Sequence, residues 1–225
     1  MREIVLDTET TGLDPADGHR VVEIACVELL NHIPTGQIFH RLINPERDMP
    51  AEAYAVHGLS AEHLSQFPPF ATIAGEFLAF IEGARLIIHN AEFDLKFLNA
   101  ELRRLGRPAV SCGVVDTLAL ARRRFPGAQA SLDALCRRFE VDLSARDKHS
   151  ARIDCELLAA VYLELIGGRQ PGLDLAAGSA GTALAAAPTE RAARPPRAHA
   201  ATGEELAAHA GLLAQIKAPI WLTES

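Results

Sequence analysis

Asp7 and Glu9 stand two residues apart in the segment Leu6-Asp7-Thr8-Glu9-Thr10-Thr11-Gly12. In an extended strand such residues project from the same face. Two carboxylates side by side at the end of an apolar run repel each other and lose solvation, and a divalent cation is the natural remedy. Either acid alone reads as a polar residue capping a turn; the pair on one face reverses that reading. Asp94 falls in the first turn of an expected helix, where it would also complement the helix dipole. His149 and Asp154 are separated by about 140° on an ideal helix, so they meet only if His149 lies on the loop leading in and Asp154 in the early helix. A loop-borne His with an ordinary pKa of ~6.5 suits a general base near neutral pH. Four carboxylates from three elements plus one His match two-metal phosphodiester hydrolysis, in which cations roughly 3.5 to 4 Å apart activate the attacking water and stabilise the leaving oxygen. Magnesium or manganese suits such oxygen ligands, whereas zinc would normally bring His or Cys into contact with the metal.

Apolar periodicity supplies the elements that must hold these side chains. Residues 3 to 8 and 21 to 30 are β-branched and apolar runs, and 37 to 43 alternates, which predicts three successive strands. After Pro50 come short helical pieces, one starting at Ser60, then a helix from Phe70 to Ile81 and a buried strand from Arg85 to His89. Leu95, Leu98, Leu102 and Leu105 fall at i, i+3, i+7 and i+10, with Asn90 as the expected N-cap and Gly106 just past the end. Residues 113 to 118 read as a short strand and 131 to 140 as a helix capped by Ser131. A last long helix from Ser150 to Leu165 stops at Gly167-Gly168. Strands first, then helices alternating with strands, predict an α/β fold with a mixed sheet flanked by helices.

With 225 residues, 48% of them apolar, the chain can bury one substantial core and is too short for three domains. Four scattered cysteines without a C-x-x-C pair point to a reduced, cytoplasmic protein lacking a structural zinc. MREIVLDTETTG has no apolar signal-peptide core and no apolar run approaches 18 residues, so neither secretion nor membrane spanning is expected. The net charge of -7 conceals a split: residues 1 to 95 carry -10 and residues 96 to 152 carry +6. That split fits metal carboxylates in one place and phosphate-facing Lys and Arg in another, and equally fits two solvated surfaces. From Ala176 to Ala200, 11 of 25 residues are Ala and large apolar side chains are almost absent, the composition of a flexible linker. Residues 202 to 217 recover helical periodicity behind a Thr202/Glu205 capping box, followed by the apolar cluster Ile220-Trp221-Leu222.

DTETTGL, IIHNAEFDLKFLNAEL and the H-x4-D of HSARID together resemble the three motifs of the DEDDh branch of DnaQ-like 3'-5' exonucleases. The likeness covers residues 1 to about 168. VVDTLALARRRFPGAQASLDALCRRFEVD and DCELLAAVYLELIGG are most similar to the epsilon proofreading subunits of bacterial DNA polymerase III. The resemblance implies a ribonuclease H-like fold, a mixed five-stranded sheet with helices on both faces. It implies Asp7, Glu9, Asp94 and Asp154 as ligands of two divalent cations, magnesium or manganese, with His149 as the base. Glu52 and His57 would contact the terminal nucleotide, together with Asp7, Glu9 and Asp154. Thr10, Gly12, Leu13, Val56, Asn90 and Phe93 would shape the pocket for its sugar and base. The implied substrate is a single-stranded or frayed 3' end of DNA. The implied division is an exonuclease domain over 1–168, a flexible linker over 169–201 and a polymerase-binding segment over 202–225.

Gln170, Leu173 and Leu175 resemble the anchors of a short sliding-clamp-binding peptide. Trp221 corresponds in position to the segment by which epsilon subunits hold the catalytic alpha subunit. A small accessory subunit belongs to the same set of implied partners, and a membrane does not. Two competing readings share these residues: a stand-alone DEDDh nuclease trimming RNA or oligonucleotides, and a non-catalytic tether between polymerase and clamp.

Overall fold

The computed structural model describes residues 1–144, 148–167 and 200–217. The chain divides into two compact units, Met1–Asp174 and Leu175–Ser225. Gln170, Leu173, Leu175 and Trp221 lie outside the described residues, as does nearly all of the expected linker. Of the second unit the described part is helix α8 (Gly203–Leu213). It opens with the expected capping box: Thr202 Oγ1 accepts from the Glu205 N–H, and the Glu205 carboxylate accepts from the Thr202 N–H.

The first unit is built on a five-stranded sheet in the order β3-β2-β1-β4-β5. Strands β1 (Arg2–Thr10), β2 (Val21–Leu30) and β3 (Ile33–Leu42) form an antiparallel meander, and β4 (Arg85–Ile88) and β5 (Val114–Asp116) add in parallel beside β1. Central β1 therefore has its backbone paired on both sides and must bury both faces. Ile4 and Leu6 face a core with Phe70 and Phe77 of α3 (Phe70–Ile81) and Phe97 and Leu102 of α4 (Ala91–Arg104). Val5 joins Ala25, Val27 and Ile87 against Leu135 of α6 (Leu132–Arg138) and Leu158, Val161 and Leu165 of α7 (Ala151–Leu165). The side-chain period of two thus puts Asp7 and Glu9 on the α7 side of the sheet and Thr8 on the α4 side.

The remaining helices are α1 (Ala51–His57), α2 (Ala61–Leu64), α5 (Thr117–Arg124) and a 3-10 turn over Pro15–Asp17. Ser60 and Ser131 cap α2 and α6 by accepting from the N–H groups of His63 and Ala134. Gly106, at φ +65°, closes α4 as expected, its N–H donating to Arg103 O and the Arg107 N–H to Leu102 O.

Three local expectations are corrected. β3 begins at Ile33 rather than 37, because Asn31 and His32 both adopt positive φ and form a two-residue hairpin turn. The strand expected over 113 to 118 ends at Asp116, whose carboxylate accepts from the Leu118 and Ala119 N–H groups and starts α5, a helix the periodicity had not shown. Asn90 does not cap α4 with its side chain. It sits in the left-handed region (φ 67°), and its N–H donates to Asp116 Oδ1 at 3.2 Å, tying the end of β4 to the start of α5.

Candidate active site

The C-terminal end of β1 delivers Glu9 to a cluster with His149 and Asp154, whose candidate ligand atoms all lie within 4.8 Å of one another. Each residue arrives from a different element. β1 pairs with β2 so that Glu9 faces Glu23, and the register slips between Glu9 and Thr10, a bulge that redirects the chain just after the acids. His149 lies on the loop before α7, as its spacing from Asp154 required, and its N–H donates to Val56 O at 3.3 Å. Its Nδ1 stands 3.4 Å from Asp154 Oδ2, with the ring half exposed and Asp154 buried. Lys148 packs beside it, its ammonium 5.3 Å from the centre of the Tyr54 ring on α1.

Glu23 holds the start of α7 in place. Ser150 Oγ donates to Glu23 Oε1 at 3.2 Å, the Ala151 N–H donates to Oε2 at 3.3 Å, and His40 Nε2 lies 2.7 Å from Oε1. A buried carboxylate thus takes the place of a side-chain cap at a helix whose first turn carries Asp154.

Asp94, in the first turn of α4, accepts a 2.7 Å hydrogen bond from Thr8 Oγ1, so Asp7-Thr8-Glu9 reaches both sides of the sheet. Burial pushes Asp94 up to about 7, opposed by the Thr8 bond. Asp7 is held well above the ordinary Asp value, first by burial and then by the charges of Asp94, Glu9, Asp154 and Glu23. Carboxylates this close ionise together only when positive charge is supplied. The side chains brought within ligand distance of one another are Glu9, His149 and Asp154; Asp7 and Asp94 lie outside that group, and the carboxylate oxygens in it fit a hard divalent cation.

Two clefts flank the cluster. The first, about 500 Å³, is lined by Glu9, Thr10, Gly12, Leu13, Glu52, Val56, His57 and Phe93, whereas Asp7 and Asp154, also expected to contact the nucleotide, line the second. Leu13 and Val56 are exposed apolar rims there. Gly12 has no room for a side chain, because a Cβ would meet the His19 ring at 2.4 Å. His57 is buried, and its Nδ1 accepts from the Leu59 N–H at 3.0 Å. Burial lowers its pKa, so the ring is neutral and Nε2 carries the proton. Asn90 does not join this group; it lines the second cleft with Asp7, His89, Arg122, His149 and Asp154.

Sequence reasoning missed Thr8, Glu23, His19, His89 and Arg122. A buried acid inside the apolar run VVEIAC was a usable signal for Glu23, since a mid-strand Glu in a core needs a stated partner. The others gave no local sign.

A mixed sheet with helices on both faces and acids gathered at the end of its central strand defines a nuclease of the ribonuclease H-like class. The Exonuclease family (RNase_T) matches residues 4–162, and the chain belongs to that family as a metal-dependent 3'-5' exonuclease. Among curated relatives it is 57% identical over 174 residues to the DNA polymerase III subunit epsilon of Rickettsia conorii, covering 76% of each chain. It is 43% identical over 219 residues to that of Escherichia coli K12, covering 92% of this chain and 90% of the relative. Among solved structures it is similar to exonuclease X in complex with 5' overhanging duplex DNA, with a TM-score of 0.58 and 24% identity over 73% of this chain and 90% of that one. The nuclease domain of 3'hExo, a DEDDh family member bound to rAMP, aligns with a TM-score of 0.65 at 16% identity, covering 73% and 91%. Among the described residues no helix is long and apolar enough to cross a membrane.

Proposed function

We propose that this chain is the proofreading subunit of a bacterial replicative DNA polymerase of the polymerase III type, removing 3'-terminal nucleotides as 5'-monophosphates. The observation that carries the reading is the meeting of Glu9, His149 and Asp154 between two clefts, Glu9 lining a nucleotide-sized one and His149 and Asp154 the other. In it, Asp7, Glu9, Asp94 and Asp154 would hold two magnesium or manganese ions. When bound, these would activate the attacking water and stabilise the leaving 3' oxygen.

The chain's own residues do the rest. His149, carried on a loop pinned to Val56, accepts the proton of the attacking water. His57, neutral and buried beside Thr10, and Glu52 line the cleft and contact the terminal nucleotide. Leu13, Val56 and Phe93 enclose the base, with Thr10 and Gly12 forming the floor. Selectivity for errors comes from fraying, since an unpaired end costs less to deliver into a single-strand site than a paired one.

Residues 1–168 are the catalytic domain in this reading, and 202–225, with Trp221, bind the alpha subunit. The segment 169–201 tethers the two at high effective concentration and offers Gln170, Leu173 and Leu175 to the sliding clamp. The protein works in the cytoplasm. Deleting residues 203 to 225 is expected to release the polymerase while leaving hydrolysis of free oligonucleotide intact; co-elution of the truncated chain with polymerase refutes the tail assignment. A strong preference for RNA over matched DNA oligonucleotides would sink the proofreading reading in favour of RNA trimming.

A further inference from the structure

We propose that the second cleft is the subsite for the nucleotide upstream of the scissile bond, and that Arg122 grips its phosphodiester. This rests on the exonuclease reading and deepens it. The cleft measures about 450 Å³, within the roughly 300 to 1,000 Å³ usual for ligand sites. Its near wall is Asp7, His149 and Asp154, while Glu9 lines the first cleft. The catalytic cluster is therefore the partition between two spaces. A strand whose terminal nucleotide fills the first cleft places its reacting phosphate at the partition. The strand then continues away from the first cleft, and the second is the space that opens beyond the same acids.

The charges of this second cleft suit a phosphodiester. α5 carries Arg122, Arg123 and Arg124 in succession, and the structure uses them differently. Arg124 donates to the carbonyls of Glu164 and Leu165 at the end of α7, a structural task. Arg122 is exposed, lines the cleft, and makes no hydrogen bond or ion pair with any described residue. An exposed guanidinium facing a cleft that ends in carboxylates is a donor fork suited to a bidentate phosphate contact. His89, beside it, is held below the ordinary His value by burial above all, with Arg122's charge adding to that lowering, so it brings no competing positive charge. Asp133, a further acid lining the cleft, has an interaction partner of its own.

The test compares a single-stranded deoxyoligonucleotide, which has an upstream phosphate, with the p-nitrophenyl ester of thymidine 5'-monophosphate, which has none. Arg122→Ala is expected to lower kcat/KM on the oligonucleotide on the order of ten-fold more than on the ester, chiefly through KM. The slope of log KM against log salt should shrink by about 0.7, the loss of one phosphate contact on a single strand. Arg122→Lys should recover part of the difference. Arg123→Ala, which removes the same charge from a position outside the cleft, should show no such discrimination between the substrates. Equal losses of Arg122→Ala on both substrates, or the same discrimination in Arg123→Ala, overturn the subsite. Inactivity of the unaltered chain on both substrates removes the exonuclease reading and the subsite with it.

Discussion

The two ends of β1 each bury acids on the α7 face, and they are treated in opposite ways. At the N-terminal end Glu3 is fully buried, accepts from Tyr162 Oη at 2.8 Å, and has His32 Nδ1 at 2.7 Å from its other oxygen. At the C-terminal end Asp7 is surrounded by Asp94, Glu9, Asp154 and Glu23, and no cationic side chain among the described residues pairs with Asp7 or Asp94. Elsewhere in the same fold Glu101 is matched by Arg20 at 2.6 Å. The fold supplies counter-groups to buried acids where only stability is at stake. At the other strand end it gathers acids and, among the described residues, gives Asp7 and Asp94 no cationic partner, which costs stability and suits the place to a cation from solution.

The contrast is most easily broken by exchanging what each end loses. Asp7→Ala is expected to reduce divalent-cation-dependent hydrolysis of a single-stranded oligonucleotide by at least about 10³-fold, with the fold retained by circular dichroism. Hydrolysis at the unaltered rate in this variant would falsify the assignment of Asp7 to the metal site. His149→Ala should keep cation binding, measured by calorimetry, while lowering kcat by about 10² to 10⁴. A loss of cation affinity as large as that of Asp7→Ala would make His149 a ligand rather than a base.

At the other end the expected signature is reversed. Tyr162→Phe removes one hydrogen bond to a buried carboxylate and should destabilise the protein by about 1 to 3 kcal/mol in urea unfolding, with turnover per folded molecule unchanged. Comparable stability in the variant would mean that Glu3 does not depend on its Tyr162 bond, and would weaken the contrast between the strand ends.

What could be read from the sequence divides along the same physical line. The shared face of Asp7 and Glu9 follows from a period of two within one strand, and the loop position of His149 follows from helix geometry relative to Asp154; both are local. The convergence of Asp94 was available through motif resemblance, because nothing in residues 90 to 96 says which strand α4 packs beside. Glu23 opposite Glu9, Thr8 bonded to Asp94, and Arg122 facing the acids depend on strand register and on which helix lies over which sheet edge. Those are tertiary facts, set by the β1–β2 register, by α4 lying beside β1 and by the placement of α5 behind its Asp116 cap. Asn90 shows the reverse: its type and place suit an N-cap, yet the close of β4 needs a left-handed residue there, and that requirement wins.

The smallest effect separates the two ends thermodynamically. For the cation-free protein, Asp94 titrates at about 7 in the fold against an ordinary Asp value near 4, and Asp7 is also raised. The sign follows from proton binding. Between about pH 4 and pH 7 the folded state holds a proton that the unfolded state has released, so stability falls as pH rises through that window and the loss is complete above it. Divalent cation replaces that proton, so its stabilisation, read as a shift in Tm, should be larger at pH 8 than at pH 5. Asp7→Asn removes one of the competing charges and should raise the Tm of the cation-free protein at pH 8 by a few degrees while abolishing activity. A lower Tm for Asp7→Asn under those conditions would show that the acids at this end are satisfied by the fold after all, and the distinction between the two ends of β1 would fail.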